Sequence, residues 1–303
     1  SPTNIVITIL EDDSTISFST NAVAAAENTS SITLTLTRAG GTNGTSTVDF
    51  FTTDGTATNT VDYTGTNGTV SFGPGIRTRT VSIPFLNDSD VEGDENFTIT
   101  LTNIVGADFG IHTNAIVTIR DNDSTFNLST NAVSVNESAG SVTLTVVRTG
   151  GTIGSASVQY VTATNGSASA TTDFTSKTGT LTFNSGETSK TISVTLKSDT
   201  TYETNETFTV ALSNPSADAS LGGTTNVTVT IADTASYLSF ETNTVSVPEP
   251  AGTAMLTVNR TGALTQTNRL TYTFTAGSAG TSDYTATNGT LTFLPDATNA
   301  TIT

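Results

Sequence analysis

The 303 residues contain no cysteine and no tryptophan, a single methionine and a single histidine. Without cysteine there is no disulfide framework, no thiolate nucleophile and no cysteine-based zinc site. The lone histidine, His112, precedes the last apolar run of the first repeat described below and has no counterpart in the second. It reads as a loop residue, and a Ser-His-acid constellation cannot be built elsewhere. No run of about 18 apolar residues occurs, which leaves no candidate membrane-spanning helix and no direct membrane insertion. The first residues do not place a basic stretch before an apolar one, so a signal peptide or anchor is expected only outside this sequence. Positive charge is also scarce: 10 Lys and Arg stand against 27 Asp and Glu, for a net charge of −17. Nucleic acid and anionic membranes are repelled by such a chain.

What is abundant is Thr, Ser, Asn and Gly. β-Branched Thr suits a pleated surface, and Asn and Gly suit turns, so strands are expected throughout and helices almost nowhere. Apolar residues alternate with polar ones, as where Ile32, Leu34 and Leu36 alternate with Thr33, Thr35 and Thr37. That period of two marks strands with one buried face.

Self-comparison shows a repeat of about 110 residues. Ser19 to Gly41 (STNAVAAAENTSSITLTLTRAGG) returns as Ser129 to Gly151 and as Glu241 to Ala263. Val61 to Gly75 returns from Thr172 and from Ser282, and Val81 to Asn103 returns as Ile192 to Asn214. The repeat predicts whole units at 14–123 and 124–234, a closing strand of a preceding unit at 1–13, and an incomplete unit at 235–303. Within the first unit seven runs read as strands: 15–26, broken by a bulge near Thr20 and Asn21, then 31–38, 45–52, 68–72, 78–86, 95–103 and 113–120. Gly40-Gly41, Asn67-Gly68 and Gly73-Pro74-Gly75 read as the turns between them. The expected fold is all-β: tandem immunoglobulin-like sandwiches of antiparallel sheets, about seven strands each. No Pro-rich or Gly/Ser linker separates the units, and short junctions favour stiffness.

Four signatures recur in order. They are a Glu followed by a strand ending in Arg and glycines (Glu27 with Arg38-Ala39-Gly40-Gly41), an Asp-aromatic pair (Asp62-Tyr63), the acidic stretch Val91 to Phe97 (VEGDENF), and a closing strand that runs into Asp121-Asn122-Asp123. With them the chain resembles the Calx-beta family over almost its whole length. That resemblance implies immunoglobulin-like sandwiches with calcium sites at one pole. Carried onto this sequence, it implies Ca2+ ligands at Glu27, Asp62, Asp88, Glu92, Glu95, Asp121 and Asp123 in the first unit, with Asn87 and Asn122 where the family often has Asp. The second unit offers Glu137, Asp173, Asp199, Glu203, Glu206 and Asp233, but its closing run, Ile231-Ala232-Asp233-Thr234-Ala235, keeps one acid. The third keeps Glu249 and Asp283, and Glu11, Asp12 and Asp13 lie before the first.

Calcium needs six to eight hard oxygens gathered from separate segments, and a set of acids repeating in register can supply them. Against this, Asp and Asn favour turns without any metal. Glu92 and Glu95 could serve as an acid and base pair, yet they recur as Glu203 and Glu206, which favours a structural use and no enzyme. Arg38, Arg148 and Arg260 read as salt-bridge or edge-protecting charges. The function expected first is a secreted, calcium-stiffened spacer of a surface, matrix or filament protein. Its partners would be neighbouring repeats, homopolymeric copies, or a cell-surface or matrix ligand. Two other readings stand beside it: a filament subunit joined by strand donation, and calcium-sensing domains of a transport or signalling protein.

Overall fold

The computed structural model describes residues 4–8, 13–248 and 251–303. Unit 1 consists of β1 (Ser14–Phe18), β2 (Ala22–Ala26), β3 (Ser31–Gly40), β4 (Ser46–Asp54), β5 (Asn67–Phe72), β6 (Thr78–Pro84), β7 (Glu95–Val105), β8 (Asp108–Phe109) and β9 (Asn114–Arg120). One sheet runs β6-β3-β1-β8 and the facing sheet β2-β9-β7-β4-β5. Alternation does the building: along β3, Ile32, Leu34 and Leu36 point inward and are buried, while the Thr between them face out.

Unit 2 repeats the plan with β10 (Ser124–Leu128), β11 (Ala132–Asn136), β12 (Ser141–Gly150), β13 (Ala156–Ala163), β14 (Thr178–Phe183), β15 (Ser189–Thr195), β16 (Glu206–Ser213), β17 (Ala219–Leu221) and β18 (Asn226–Ala232). Its sheets are β15-β12-β10-β17 and β11-β18-β16-β13-β14. Residues 235–303 carry β19 (Ser236–Phe240), β20 (Leu256–Gly262), β21 (Asn268–Tyr272), β22 (Gly289–Phe293) and β23 (Asn299–Ile302), paired as β19-β20-β23 and β21-β22. We call this segment unit 3. Residues 4–8 are in no strand, and Ile5, Val6 and Ile7 are exposed. A closing strand sits between two others, as β9 sits between β2 and β7. The rest of the expected strand over 1–13 falls partly on residues 9–12, outside the described residues.

Three expectations need revision. The run 15–26 is not one bulged strand but two strands in different sheets. After Phe18 the chain turns on Thr20, whose hydroxyl donates to Ala22 O (3.0 Å) and accepts from Ala22 N (3.3 Å), and Thr130 repeats this at Ala132. A chain that crosses between sheets without reversing must then pair in parallel. Hence β2 runs parallel to β9, with Ala26 opposite Arg120, and β11 runs parallel to β18. Asn67-Gly68 is the start of β5, not a turn. Gly68 sits opposite Phe50, and a Cβ there would lie 3.2 Å from the ring. Gly179 under Tyr160 and Gly289 under Tyr272 repeat the arrangement, an aromatic ring covering a strand glycine.

The three arginines are not edge charges and, among the described residues, are not members of salt bridges. β3, β12 and β20 each lie between two neighbours, and Arg38, Arg148 and Arg260 occupy the next inward position after the buried aliphatics. Arg38 Nε donates to Ser14 Oγ (3.1 Å) and Nη1 to Gly44 O (2.8 Å). Arg260 donates to Ser236 Oγ and to the carbonyls of Leu294, Ala263 and Gln266. Backbone carbonyls at the strand ends need donors, and a long forked cation reaches several at once.

Each complete core is keyed by a ring pair joining the two expected signatures. Tyr63 stacks on Phe97 with centroids 3.9 Å apart, and Phe174 stacks on Phe208 at 4.2 Å. Phe208 is fully buried. Replacing it with Ala should destabilise unit 2 by about 3–5 kcal/mol, read from the shift in urea midpoint. A loss below about 1 kcal/mol would mean that the stack is not central to the core.

Candidate metal centre at the junction of units 1 and 2

The pairing just described decides where the acids go. β2 and β9 run side by side in the same direction, so Glu27 and Asp121 leave the sheet together, and Glu27 N donates to Arg120 O at 2.9 Å. β7 is antiparallel to β9 and begins opposite its end, with Glu95 across from Ile119. The loop carrying Asp88 and Glu92 therefore arrives at the same pole. β4 ends there too, with Asp54 opposite Phe97, and the following loop brings Asp62. Three residues after β9 ends, β10 begins unit 2. The acidic pole of one unit is thus the seam with the next.

Two groups of carboxylates result in unit 1. Oxygens of Glu27, Asp121 and Asp123 lie within 4.8 Å of one another, as do those of Asp62, Glu92 and Glu95. In unit 2, Asp173, Glu203 and Glu206 form the counterpart of the second group. Asp88, Glu137, Asp199 and Asp233 belong to none of these three groups. Glu11, Asp12 and Glu249 lie outside the described residues. Asp283 is exposed and accepts hydrogen bonds from Gly280 N and Ser282 Oγ.

Much of this acidity folds the loops. Asp121 accepts from the backbone N–H groups of Glu92 (3.1 Å), Gly93 (2.9 Å) and Asp123 (2.7 Å). Asp233 does the same for Glu203 (2.8 Å) and Ala235 (2.7 Å). Glu27 accepts from Asp88 N (2.9 Å) and Glu137 from Asp199 N (2.6 Å). Asp88 accepts from Asp90 N and Asp199 from Thr201 N. Asp62 and Asp173 accept from Thr58 N and Ser169 N. These carboxylates act as turn anchors in both units, whatever else they bind.

Asp123 is different. It is 0% exposed, and neither carboxylate oxygen has a hydrogen-bond partner among the described residues. Asn122 Nδ2 beside it is also buried without a partner, while Asn122 Oδ1 accepts from Asn28 N at 3.0 Å. A buried, unpaired carboxylate is costly to desolvate and calls for a compensating charge. In unit 2 the corresponding residue is Ala235. The buried acid of the junction whose oxygens have no partner among the described residues is thus one that the second repeat lacks. An all-oxygen donor set with these oxygens free fits a hard cation.

The electrostatics agree. Burial, then the charges of Glu27, Asp121, Asp218 and Asp88, push the Asp123 carboxyl up to about 7. Burial, then Asp62 by charge and by hydrogen bond, brings Glu95 to about 7, and burial with Asp173 does the same for Glu206. Glu27 and Glu92 are also raised, chiefly by burial. Asp218 was not anticipated from the sequence. It enters from unit 2, through the loop after β16, and its carbonyl accepts from Ser124 N at 3.3 Å.

A family model for the Calx-beta domain matches residues 10–123, 120–235 and 232–303. Sodium/calcium exchanger 1 of Rattus norvegicus is 33% identical over 230 residues, covering 68% of this chain and 24% of the exchanger. Sodium/calcium exchanger 3 of Homo sapiens is 32% identical over 213 residues, covering 62% of this chain and 23% of the exchanger. The chain thus spans under a quarter of these relatives' length. Among solved structures, CBD12 from CALX1.2 is 25% identical, covers 72% of this chain and 99% of that one, and has a TM-score of 0.40.

A pH dependence follows for the metal-free protein. An acid whose folded pKa is raised binds its proton more tightly folded than unfolded, so its contribution is intact below the ordinary carboxylate value and is lost as pH rises toward about 7. With a chelator present, the melting temperature should fall steadily between pH 5 and pH 7.5. Calcium should flatten that slope. Calorimetry at several pH values tests this, and a chelated protein that melts at one temperature across the range contradicts it.

Proposed function

We propose, from the premise that this chain belongs to the Calx-beta domain family, that it is a calcium-binding tandem module reporting calcium to a longer protein through the seam between units 1 and 2. The observation that carries this reading is Asp123, shut away from water with both oxygens free at the residue where one unit becomes the next. Glu27, Asp121 and Asp123 would hold the cation, with Asp62, Glu92 and Glu95 as a second group on the same pole. Calcium supplies there, when bound, the positive charge that like-charged carboxylates lack. The residues themselves do the rest: Asp121 ties the Glu92–Gly93 turn to the seam, and Asp123 O accepts from Gly151 N of unit 2 at 2.7 Å. Ordering the carboxylates therefore orders the contact between units.

The regulatory use is favoured over an extracellular spacer because the relatives in sequence are sodium/calcium exchangers, proteins that handle the same ion. A second reading, the calcium-stiffened spacer outside the cell, draws on the direct passage from β9, ending at Arg120, to β10, beginning at Ser124. Both uses need the same event at the seam.

Calcium at a hundredfold its dissociation constant should stabilise unit 1 by about 2.7 kcal/mol, a rise in melting temperature on the order of 10 °C. Magnesium, which demands tighter octahedral geometry and keeps its water, should do much less. Asp123→Asn should remove most of the calcium gain, and Asp233→Asn much less of it. No calcium-dependent shift in the parent chain, or a full shift in Asp123→Asn, would reject the assignment.

A further inference from the structure

The first glycine after each buried arginine has a positive φ: 84° at Gly40, 88° at Gly150 and 93° at Gly262. Glycine is suited to that conformation, but at the two seams it has a second use. A Cβ on Gly150 would lie 2.5 Å from Cγ1 of Val91, and one on Gly262 would lie 2.6 Å from Cε2 of Tyr202. Val91 and Tyr202 hold the same place in their units, immediately before Glu92 and Glu203. Each acidic loop thus reaches forward and lays one side chain on the bare glycine of the following unit.

The backbone of the two seams is alike, and the side chains are not. Ala235 O accepts from Ala263 N at 2.9 Å, as Asp123 O accepts from Gly151 N at 2.7 Å. At the second seam the unpaired carboxylate is gone, replaced by the methyl of Ala235. Two aromatic residues arrive instead: Val91 is replaced by Tyr202, and Thr125, the second residue of its unit, by Tyr237. Their ring centroids lie 6.4 Å apart at an interplanar angle of 32°. Leu86 is replaced by Lys197, whose Nζ donates to Thr171 O at 2.7 Å, bringing a fixed positive charge to the loop of Asp173. Exchanging a carboxylate for two rings removes the buried, unpaired acid from the second seam, although Asp173, Glu203 and Glu206 stay grouped in unit 2, and substitutes an apolar contact that no chelator reaches.

We infer that the junction of units 2 and 3 is an aromatic clasp, Tyr202 against Tyr237 and Gly262, which holds without metal, so that calcium orders one junction of this chain and not the other. The contrast rests on the calcium reading of unit 1. Units 2 and 3 then move as one body, and the chain bends at a single cation-dependent seam.

The chain has no cysteine, so spin labels can be placed by pairs of introduced cysteines without background. Ser82→Cys with Ser193→Cys spans the first seam, and Ser193→Cys with Thr301→Cys the second; all three sites are exposed. Distances from pulsed electron resonance, with chelator and with millimolar calcium, should be broad then narrow for the first pair and narrow in both for the second. Tyr202→Ala should broaden the second distribution in both conditions, and Tyr202→Phe should keep it narrow, separating ring packing from any role of the hydroxyl. A second pair that narrows on adding calcium, or that ignores Tyr202→Ala, overturns the clasp. A first pair indifferent to calcium defeats the regulatory reading and the contrast between seams, while the clasp itself still stands or falls on Tyr202→Ala.

Discussion

Like charges held together away from water must be neutralised, by protons or by a cation, and the seam between units 1 and 2 imposes that condition. Asp123 is wholly buried beside Glu27 and Asp121, and no described donor reaches its oxygens. Burial and the neighbouring carboxylates push this carboxyl up to about 7. A hard divalent cation satisfies the same oxygens with more charge and more bonds. Because Asp123 lies between two units in the chain, whatever neutralises it also governs how those units meet.

The sandwich creates this condition through one topological choice. By crossing from one sheet to the other at Thr20 without reversing, the chain sets β2 parallel to β9. An antiparallel continuation would have sent Glu27 to the opposite pole from Asp121. The parallel pair instead delivers both to one end, and the antiparallel start of β7 adds Glu95 and the loop before it.

Comparison of the repeats separates anchoring from binding. Asp121 and Asp233 hold equivalent turns through backbone N–H groups, and so do the pairs Glu27 with Glu137 and Asp88 with Asp199. Retention of these acids in unit 2 is explained by loop geometry alone. Among the described residues the Asp123 side chain anchors nothing, and unit 2 has Ala235 in its place. Turn anchoring and grouped carboxylate oxygens are therefore both present at this pole, combined in Glu27, Asp62 and Asp121, while Asp123 has its oxygens open.

The sequence by itself determined the strand character, the repeat and the set of acids, since period-two alternation and a spacing of about 110 residues are properties of a linear string. It misread the run 15–26 as one strand and Asn67-Gly68 as a turn, because neither a sheet switch nor an aromatic ring over a glycine leaves a local signature. It placed Arg38, Arg148 and Arg260 at the surface, where their charge suggested, although their inward register in β3, β12 and β20 buries them under carbonyls. Only the tertiary structure decided which carboxylates are spent on their own loops and which are left open, and that a residue of unit 2, Asp218, shares the seam. Hydrogen-bond partners and desolvation arise between segments far apart in the chain, and no window of sequence contains both sides of such a contact.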